Sequence, residues 1–230
     1  MIVTGLILQD GAVASHSIEK YVRNFRYLES LGLPITLFLD RSIKGLKFAS
    51  HVAINLVDLE DMHFWSLWKH GGILPRTLKE PLKDRLAYMA IINTKTLLME
   101  MAYRSGVDRY TWVDFGLGYV MKEPEESFKW LYRLDDLPPG VTSPAIWGKS
   151  EYLDRISWRF CGGLFSSDWH SLTHWNRMLK REAELCYPQA SWEVNYWARL
   201  ESKYGIHVNT YQSDHNDSML RFPWVRVGDV

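Results

Sequence analysis

The chain has 230 residues, of which 47% are hydrophobic, and this is enough to build the core of one large domain. Lys and Arg together number 27, as do Asp and Glu, so no net charge favours non-specific nucleic-acid binding as the main function. Two cysteines are too few for a disulfide framework and favour a reducing compartment. A signal peptide and a run of about 18 apolar residues are both missing, so we expect a cytoplasmic protein without a transmembrane segment.

The first 60 residues predict a strand, a helix and two further strands. Short apolar runs at 2–8, 35–39 and 52–57 are typical of buried strands, and residues 18–31 carry a helical apolar face. Ser15 or Ser17 is the expected N-cap of this helix, and Gly32 is expected to end it. Continuous apolar strands that alternate with helices indicate an α/β fold whose mainly parallel sheet is covered on both faces.

The remaining sequence predicts the same alternation. We expect a short aromatic helix near 60–70, a long helix from Pro81 to about Arg104, a strand at 110–115 and a helix at 122–133. A loop rich in Pro and Gly is predicted at 137–148, then a strand at 159–165, helices at 168–186 and 190–204 and a last strand at 206–211. Without a linker or repeat, residues 1–230 are predicted to form a single domain.

Asp114 is the first candidate for a functional residue. It falls at the C-terminal end of the strand predicted at 110–115, and Gly116 and Gly118 come just after it. Open α/β sheets bind ligands at the carboxyl ends of their strands, and a carboxylate there can hold a divalent cation that neutralises a diphosphate. The alternative is that Asp114 only caps the turn after the strand.

Lys95 is the second candidate, because it lies on an apolar stripe of the predicted long helix. Its neighbours three and four residues away are Ile91, Ile92, Leu98 and Met99, so the helix offers no carboxylate partner. Such a lysine either extends to water or meets an anion from elsewhere, and a nucleotide phosphate would satisfy it.

Three segments in this order resemble a known family. Lys95, Trp-Val-Asp-Phe-Gly at 112–116 and Phe-Cys-Gly-Gly-Leu-Phe at 160–165 are similar to the HtrL/YibB/WlaTC family, which is associated with bacterial surface-polysaccharide synthesis. The wider resemblance is to nucleotide-sugar glycosyltransferases with a GT-A fold. It implies a GT-A-like (Rossmann-like) domain that transfers a sugar from a nucleoside diphosphate sugar to a glycan or lipid-linked glycan acceptor.

The resemblance also implies a metal site, with one departure. Glycogenin-like enzymes carry Asp-x-Asp where this chain has Asp114-Phe115-Gly116, so one expected ligand is missing. A histidine near the C-terminus completes the site in those enzymes, and His215 is similarly placed, with Asp214 beside it. We expect Mn²⁺ or Mg²⁺ on Asp114, His215 and Asp214, whereas the alternative is that 211–217 is only a hydrophilic loop.

Other residues are assigned to donor binding by the same resemblance. Glu193, near the start of a helix that Ser191 can cap, is expected to contact the donor sugar or assist catalysis, unless it only favours the helix N-terminus. The Gly162-Gly163 pair is expected against the sugar, with a β-bulge as the alternative. The remaining predicted donor-binding residues are Thr4, Gly5, Asp40, Lys95, Trp192 and Asn195.

The function predicted from these residues is therefore glycosyl transfer, with Asp114 and Glu193 as the catalytic residues. Two alternatives remain at the level of sequence. Asp114 and Glu193 are also the pair that a glycosidase with two carboxylates would need. A non-catalytic protein that binds carbohydrate or nucleotide could keep the same fold, because fold does not establish activity.

Overall fold

The computed structural model describes residues 1–8, 17–80 and 84–223 of the chain. Within these ranges seven strands form one sheet, in the spatial order β3-β2-β1-β4-β6-β5-β7. The strands are β1 (Ile2–Leu6), β2 (Ile35–Asp40), β3 (Val52–Val57), β4 (Arg109–Val113), β5 (Val141–Ala145), β6 (Leu164–Asp168) and β7 (Val208–Gln212). Strand β6 runs antiparallel to both of its neighbours, β4 and β5. The other four strand pairings in the sheet are parallel.

Helices cover both faces of this sheet. They are α1 (Ile18–Glu29), α2 (His63–Trp68), α3 (Leu86–Asn93), α4 (Lys95–Met101), α5 (Pro124–Lys129), α6 (Trp169–Cys186) and α7 (Glu193–Tyr204). Short 3-10 helices lie at Leu59–Asp61, Leu117–Val120, Trp130–Asp136 and Asp217–Leu220. One apolar core contains Trp68, Trp175 and Trp197, and a second core on the other face contains Phe25 and Phe128. The predicted fold class, a mainly parallel α/β sheet flanked by helices, is confirmed.

The ends of helix α1 were predicted from its capping residues. Ser17 caps α1 by accepting a hydrogen bond from the Lys20 amide, and Gly32 follows the helix with φ of +69°, a conformation that suits glycine. Ser15 and the turn predicted after β1 lie outside the described residues. None of the helices in the described ranges is both long enough and apolar enough to cross a membrane.

Three predicted elements were wrong in detail. The long helix is two helices separated at Thr94, whose hydroxyl donates to the Ala90 carbonyl, and the first begins at Leu86 rather than at Pro81, which is not described. Part of the predicted loop 137–148 is β5, which pairs with β6 and β7. The strand expected at 159–165 begins only at Leu164, so Gly162 and Gly163 precede it.

Helices α6 and α7 are joined by a buried carboxylate. The Glu182 side chain is fully buried and accepts hydrogen bonds from Arg199, Lys203 and Tyr204. Burial alone would raise the pKa of Glu182, but these donors outweigh it and lower the pKa to about 2. The cluster therefore contributes stability while Glu182 is ionised.

The topology places several loops at one edge of the sheet. Strands β1, β4, β5 and β7 all run in the same direction, so their carboxyl ends lie at this edge. The residues that follow β4 include Asp114, and the loops 146–163 and 213–217 follow β5 and β7. This edge is where parallel α/β sheets bind ligands.

Candidate functional site

A cleft of about 550 Å³, here named the central cleft, opens at the carboxyl edge of the sheet. Its lining comes from the end of β1, from α3 and α4, from the segment after β4, and from the loops before β6 and α7. Its charged and aromatic lining side chains include Tyr21, Lys79, Glu80, Tyr88, Lys95, Trp112, Asp114, Tyr119, Trp158, Trp192, Glu193 and His215.

A buried lysine connects two carboxylates on the cleft floor. The Lys95 Nζ atom lies 2.9 Å from Asp114 Oδ1 and 2.9 Å from Glu193 Oε1. It also donates to the Gly162 carbonyl oxygen at 2.9 Å. These three partners use the three donors of an ammonium group, so its hydrogen-bonding capacity is filled by the protein.

The burial of this cluster governs its charge state. The side chains of Lys95 and Glu193 are each 8% exposed, whereas that of Asp114 is 36% exposed toward the cleft. Burial alone would lower the pKa of Lys95, but the carboxylates of Asp114 and Glu193 outweigh it and raise that pKa above its ordinary value. Lys95 is therefore charged, and the anions that it meets within the protein are these two carboxylates.

Gly162 is required by this arrangement because it has no side chain. A β-carbon at Gly162 would collide with Glu193 Oε1, and one at Gly163 would lie 2.7 Å from the Leu117 side chain. The Gly163 carbonyl accepts the Asp114 amide hydrogen at 2.9 Å, which fixes the chain just after β4. The glycine pair thus lets Lys95, Asp114 and Glu193 approach one another.

His215 lies on another wall of the central cleft, against Trp158. Their ring centroids are 4.4 Å apart at an interplanar angle of 78°, and the Lys79 ammonium lies 4.5 Å from the Trp158 ring centroid. Burial and the Lys79 charge lower the pKa of His215 from 6.5, so its imidazole is neutral near pH 7. A neutral imidazole retains the lone pair that a metal ligand needs.

The predicted three-residue metal site is incomplete. Among residues 1–8, 17–80 and 84–223, no three His, Cys, Asp or Glu side chains are grouped as metal ligands. Asp214 is 72% exposed, and its carboxylate accepts the His215 amide hydrogen. Asp114 and His215 both line the central cleft, which places a carboxylate and an imidazole, two side-chain types that can ligate a divalent cation, at the same site.

The structure brings most of the predicted site residues together. Eight of them line the central cleft: Gly5, Lys95, Asp114, Gly162, Gly163, Trp192, Glu193 and His215. Thr4, Asp40, Asn195 and Asp214 are not among the described residues that line it. Thr4 is buried within β1, and the Asp40 carboxylate accepts hydrogen bonds from the Leu8 and Ser42 amides.

Asn195 was expected near the donor sugar, but its side chain instead forms hydrogen bonds with the loop that contains Arg155 and Ser157. Its amide group accepts from the Ser157 amide and donates to the Arg155 carbonyl, and it is fully buried. Ser191 is not the N-cap of α7, since that position is Trp192; the Ser191 hydroxyl donates to the Leu153 carbonyl instead. Arg199 and Ser202 also donate hydrogen bonds to this loop, at the carbonyls of residues 151 and 150. Together these hydrogen bonds attach the loop that carries Trp158 to α7 and the residues just before it.

Trp158 and Trp112 are among the residues of the central cleft that were not identified as site residues from the sequence. Trp158 lies in an irregular segment whose position depends on the hydrogen bonds from α7. Trp112 was given no role of its own within the predicted strand and the family-like segment 112–116, although its indole Nε1 donates to Asp114 Oδ1 at 2.6 Å. The spacing of two residues, which places both side chains on one face of a strand, was the signal available for Trp112.

Comparison with known proteins gives a similarity to solved structures. No protein-family model matches the chain, and no curated protein matches it. Among solved structures, the chain is similar to mouse xyloside xylosyltransferase 1 in its apo form, with 6% identity and a TM-score of 0.44. The alignment covers 91% of this chain and 84% of that chain. A similarity at this level assigns no substrate, activity or site residue.

Proposed function

We propose that the chain is a glycosyltransferase that uses a nucleoside diphosphate sugar, with residues 1–230 as its single catalytic domain. The observation that carries the proposal is the Lys95–Asp114–Glu193 cluster, which lies at the carboxyl end of β4 on the floor of the central cleft. This position is typical of ligand binding in open α/β sheets. The resemblance of the surrounding segments to GT-A transferases supports the same activity.

The charge of the cleft floor supports a cation-assisted donor. Lys95, Asp114 and Glu193 together carry a net charge of −1, so the floor alone repels a diphosphate. We infer that Asp114 and His215 would hold a divalent cation, Mn²⁺ or Mg²⁺, whose remaining ligands come from phosphate oxygens and water. When bound, such a cation neutralises negative charge that develops on the leaving diphosphate.

The protein side chains divide the remaining tasks. Lys95 holds the carboxylates of Asp114 and Glu193 in fixed positions, which removes the need to reorganise them during the reaction. Glu193 and Trp192 begin α7 and line the inner part of the central cleft, where they would contact the donor sugar. The acceptor would be a glycan or lipid-linked glycan that enters from the open side.

The two-carboxylate glycosidase is less consistent with this geometry. A glycosidase needs one of its carboxylic acids protonated, to give a proton to the leaving oxygen. Here both carboxylates instead contact one buried ammonium group, as the partners of an ion pair do.

Turnover of sugar nucleotides tests the proposal. Purified protein is incubated with UDP-, GDP-, CDP- and dTDP-linked hexoses, with and without Mn²⁺, and release of each nucleoside diphosphate is measured. We expect release from one nucleotide class, stimulated by Mn²⁺ and abolished in Asp114→Asn. Asp108→Asn, an exposed aspartate before β4, is the matched control and should retain full activity.

The outcomes separate the candidate functions. Cation-stimulated release that is lost only in Asp114→Asn supports the transferase. Binding of a nucleotide without any turnover would instead indicate a non-catalytic protein, and full activity in Asp114→Asn would remove Asp114 from the mechanism.

A further inference from the structure

The Trp112 side chain makes a directed contact with the candidate catalytic carboxylate. It lies on β4 two residues before Asp114 and is 4% exposed, and its Nε1 donates to Asp114 Oδ1 at 2.6 Å. A short hydrogen bond to a charged oxygen is of the stronger kind found in proteins. The buried indole therefore contacts the carboxylate directly.

The hydrogen bonds of Asp114 leave little freedom for its carboxylate. A carboxylate has about four lone-pair sites. Lys95 Nζ lies 2.9 Å from Oδ1 and 3.1 Å from Oδ2, and the Trp112 indole contacts Oδ1. The Asp114 side chain is 36% exposed, so the remaining acceptor capacity faces the central cleft.

Gly5 gives the indole the space it occupies. A β-carbon at Gly5 would lie 3.2 Å from Cη2 of Trp112, which is closer than ordinary contacts, and 3.7 Å from the Leu98 side chain. Gly5 is on β1, the neighbour of β4 in the sheet, so a side chain there would displace the Trp112 ring. The glycine predicted to contact the nucleotide thus has a second role beneath the carboxylate.

The pairing of Trp112 is not a general requirement of the core. The buried indoles of Trp68, Trp175 and Trp197 have no hydrogen-bond partner for Nε1 among the described residues. Burial alone therefore does not explain why the Trp112 indole is directed at Asp114.

We propose that Trp112 is a positioning residue that fixes the orientation of the Asp114 carboxylate toward the central cleft, with Gly5 making room for its ring. The proposal rests on the proposed function only where it concerns catalysis. The hydrogen bond itself can be tested without any substrate.

The first test is nuclear magnetic resonance of the ¹⁵N-labelled tryptophan side chains in the full chain. The Trp112 indole signal is identified by its loss in Trp112→Phe, and the Trp175 signal by its loss in Trp175→Phe. In Asp114→Ala we expect the Trp112 signal to move upfield and its hydrogen to exchange faster, because its acceptor is gone. The Trp175 signal, which belongs to a buried and unpaired indole, should not move.

The second test measures kcat and KM with whichever of the UDP-, GDP-, CDP- or dTDP-linked hexoses the wild type consumes. Loss of a hydrogen bond to a charged group corresponds to a decrease of about 10- to 100-fold, and we expect this in kcat for Trp112→Phe with little change in KM. Gly5→Ala should lower kcat in the same direction. Trp175→Phe removes the same atoms from the core and should leave both constants unchanged.

The indole signal and the kinetic constants test different parts of the proposal, so each can contradict it independently. An unchanged Trp112 indole signal in Asp114→Ala would overturn the positioning role whatever the activity. Equal kcat in Trp112→Phe and wild type would overturn its catalytic importance. If no sugar nucleotide is consumed by the wild type, the proposed function fails, and the indole signal still decides whether Trp112 holds Asp114.

Discussion

The buried charge cluster predicts a large loss of stability when Lys95 is replaced by Met, which keeps an apolar stem but removes the ammonium group. Lys95 Nζ lies 2.9 Å from Glu193 Oε1, and each side chain is 8% exposed, so the remaining Glu193 charge would have little access to water. Breaking a buried ion pair by removing one partner costs about 3–5 kcal/mol. We expect Lys95→Met to lower the free energy of unfolding by about this amount in equilibrium urea denaturation.

A surface pair supplies the control for this prediction. Lys129 contacts Glu126 at 2.6 Å, but the two side chains are 49% and 67% exposed, so Lys129→Met should cost about 0–1 kcal/mol. In the double variant Lys95→Met with Glu193→Leu, the second substitution removes the buried unpaired charge and should recover most of the lost stability. If Lys95→Met were as stable as Lys129→Met, the cluster would not be the buried ion pair described above.

Three further predictions follow from the same contacts. Gly162→Ala should lower both stability and sugar-nucleotide turnover, because the added β-carbon collides with Glu193. Glu182→Gln should remove part of the acid sensitivity of folding: a carboxyl group with a pKa lowered from 4.5 to about 2 stabilises the fold above pH 4.5, and this stability is lost as the pH falls toward 2. Asn195→Ala should accelerate hydrogen exchange at the Ser157 amide, which loses its acceptor.

Each of these has its own control. Gly148→Ala adds a β-carbon where no atom lies within 4 Å, so it should leave stability and turnover unchanged. Unfolding curves recorded from pH 5 downward should converge for wild type and Glu182→Gln, and parallel curves would show that Glu182 does not titrate as described. Unchanged exchange at Ser157 in Asn195→Ala would mean that the loop is held without this side chain.

The strand and helix pattern could be predicted where apolar periodicity is strong. The run Val52–Val57 has the bounds expected for β3, and the residues of α1 and β2 also match closely. Strand β5 was missed because Val-Thr-Ser-Pro-Ala has weak strand propensity and includes a proline. It is a strand because β6 and β7 pair with it on both sides, which local sequence does not reveal.

The sequence predicted which residues belong to the candidate site better than it predicted which of them contact one another. The resemblance and the strand-end rule placed Asp114, Lys95, Glu193 and His215 in one region, and all four line the central cleft. The partners of Lys95 could not be predicted because neither lies within one turn of its own helix. Its two carboxylates are 19 and 98 residues away, and only the fold brings them together.

Asn195 illustrates the opposite error. Its short distance along α7 from Glu193 suggested a shared role at the donor sugar. Two residues along a helix, however, rotate a side chain by about 200°, so neighbours at this spacing do not share a face. Asn195 therefore faces the loop that contains Ser157 and not the central cleft.

The measurement that tests the central claim most directly is calorimetric titration of the folded protein with UDP, GDP, CDP and dTDP, each with and without Mn²⁺. The proposed function predicts that one nucleotide binds with micromolar affinity, that Mn²⁺ strengthens this binding, and that Asp114→Asn loses it while Asp108→Asn does not. If none of the four nucleotides binds the folded wild type in the presence of Mn²⁺, the central cleft is not a nucleotide-sugar site and the proposed function is contradicted.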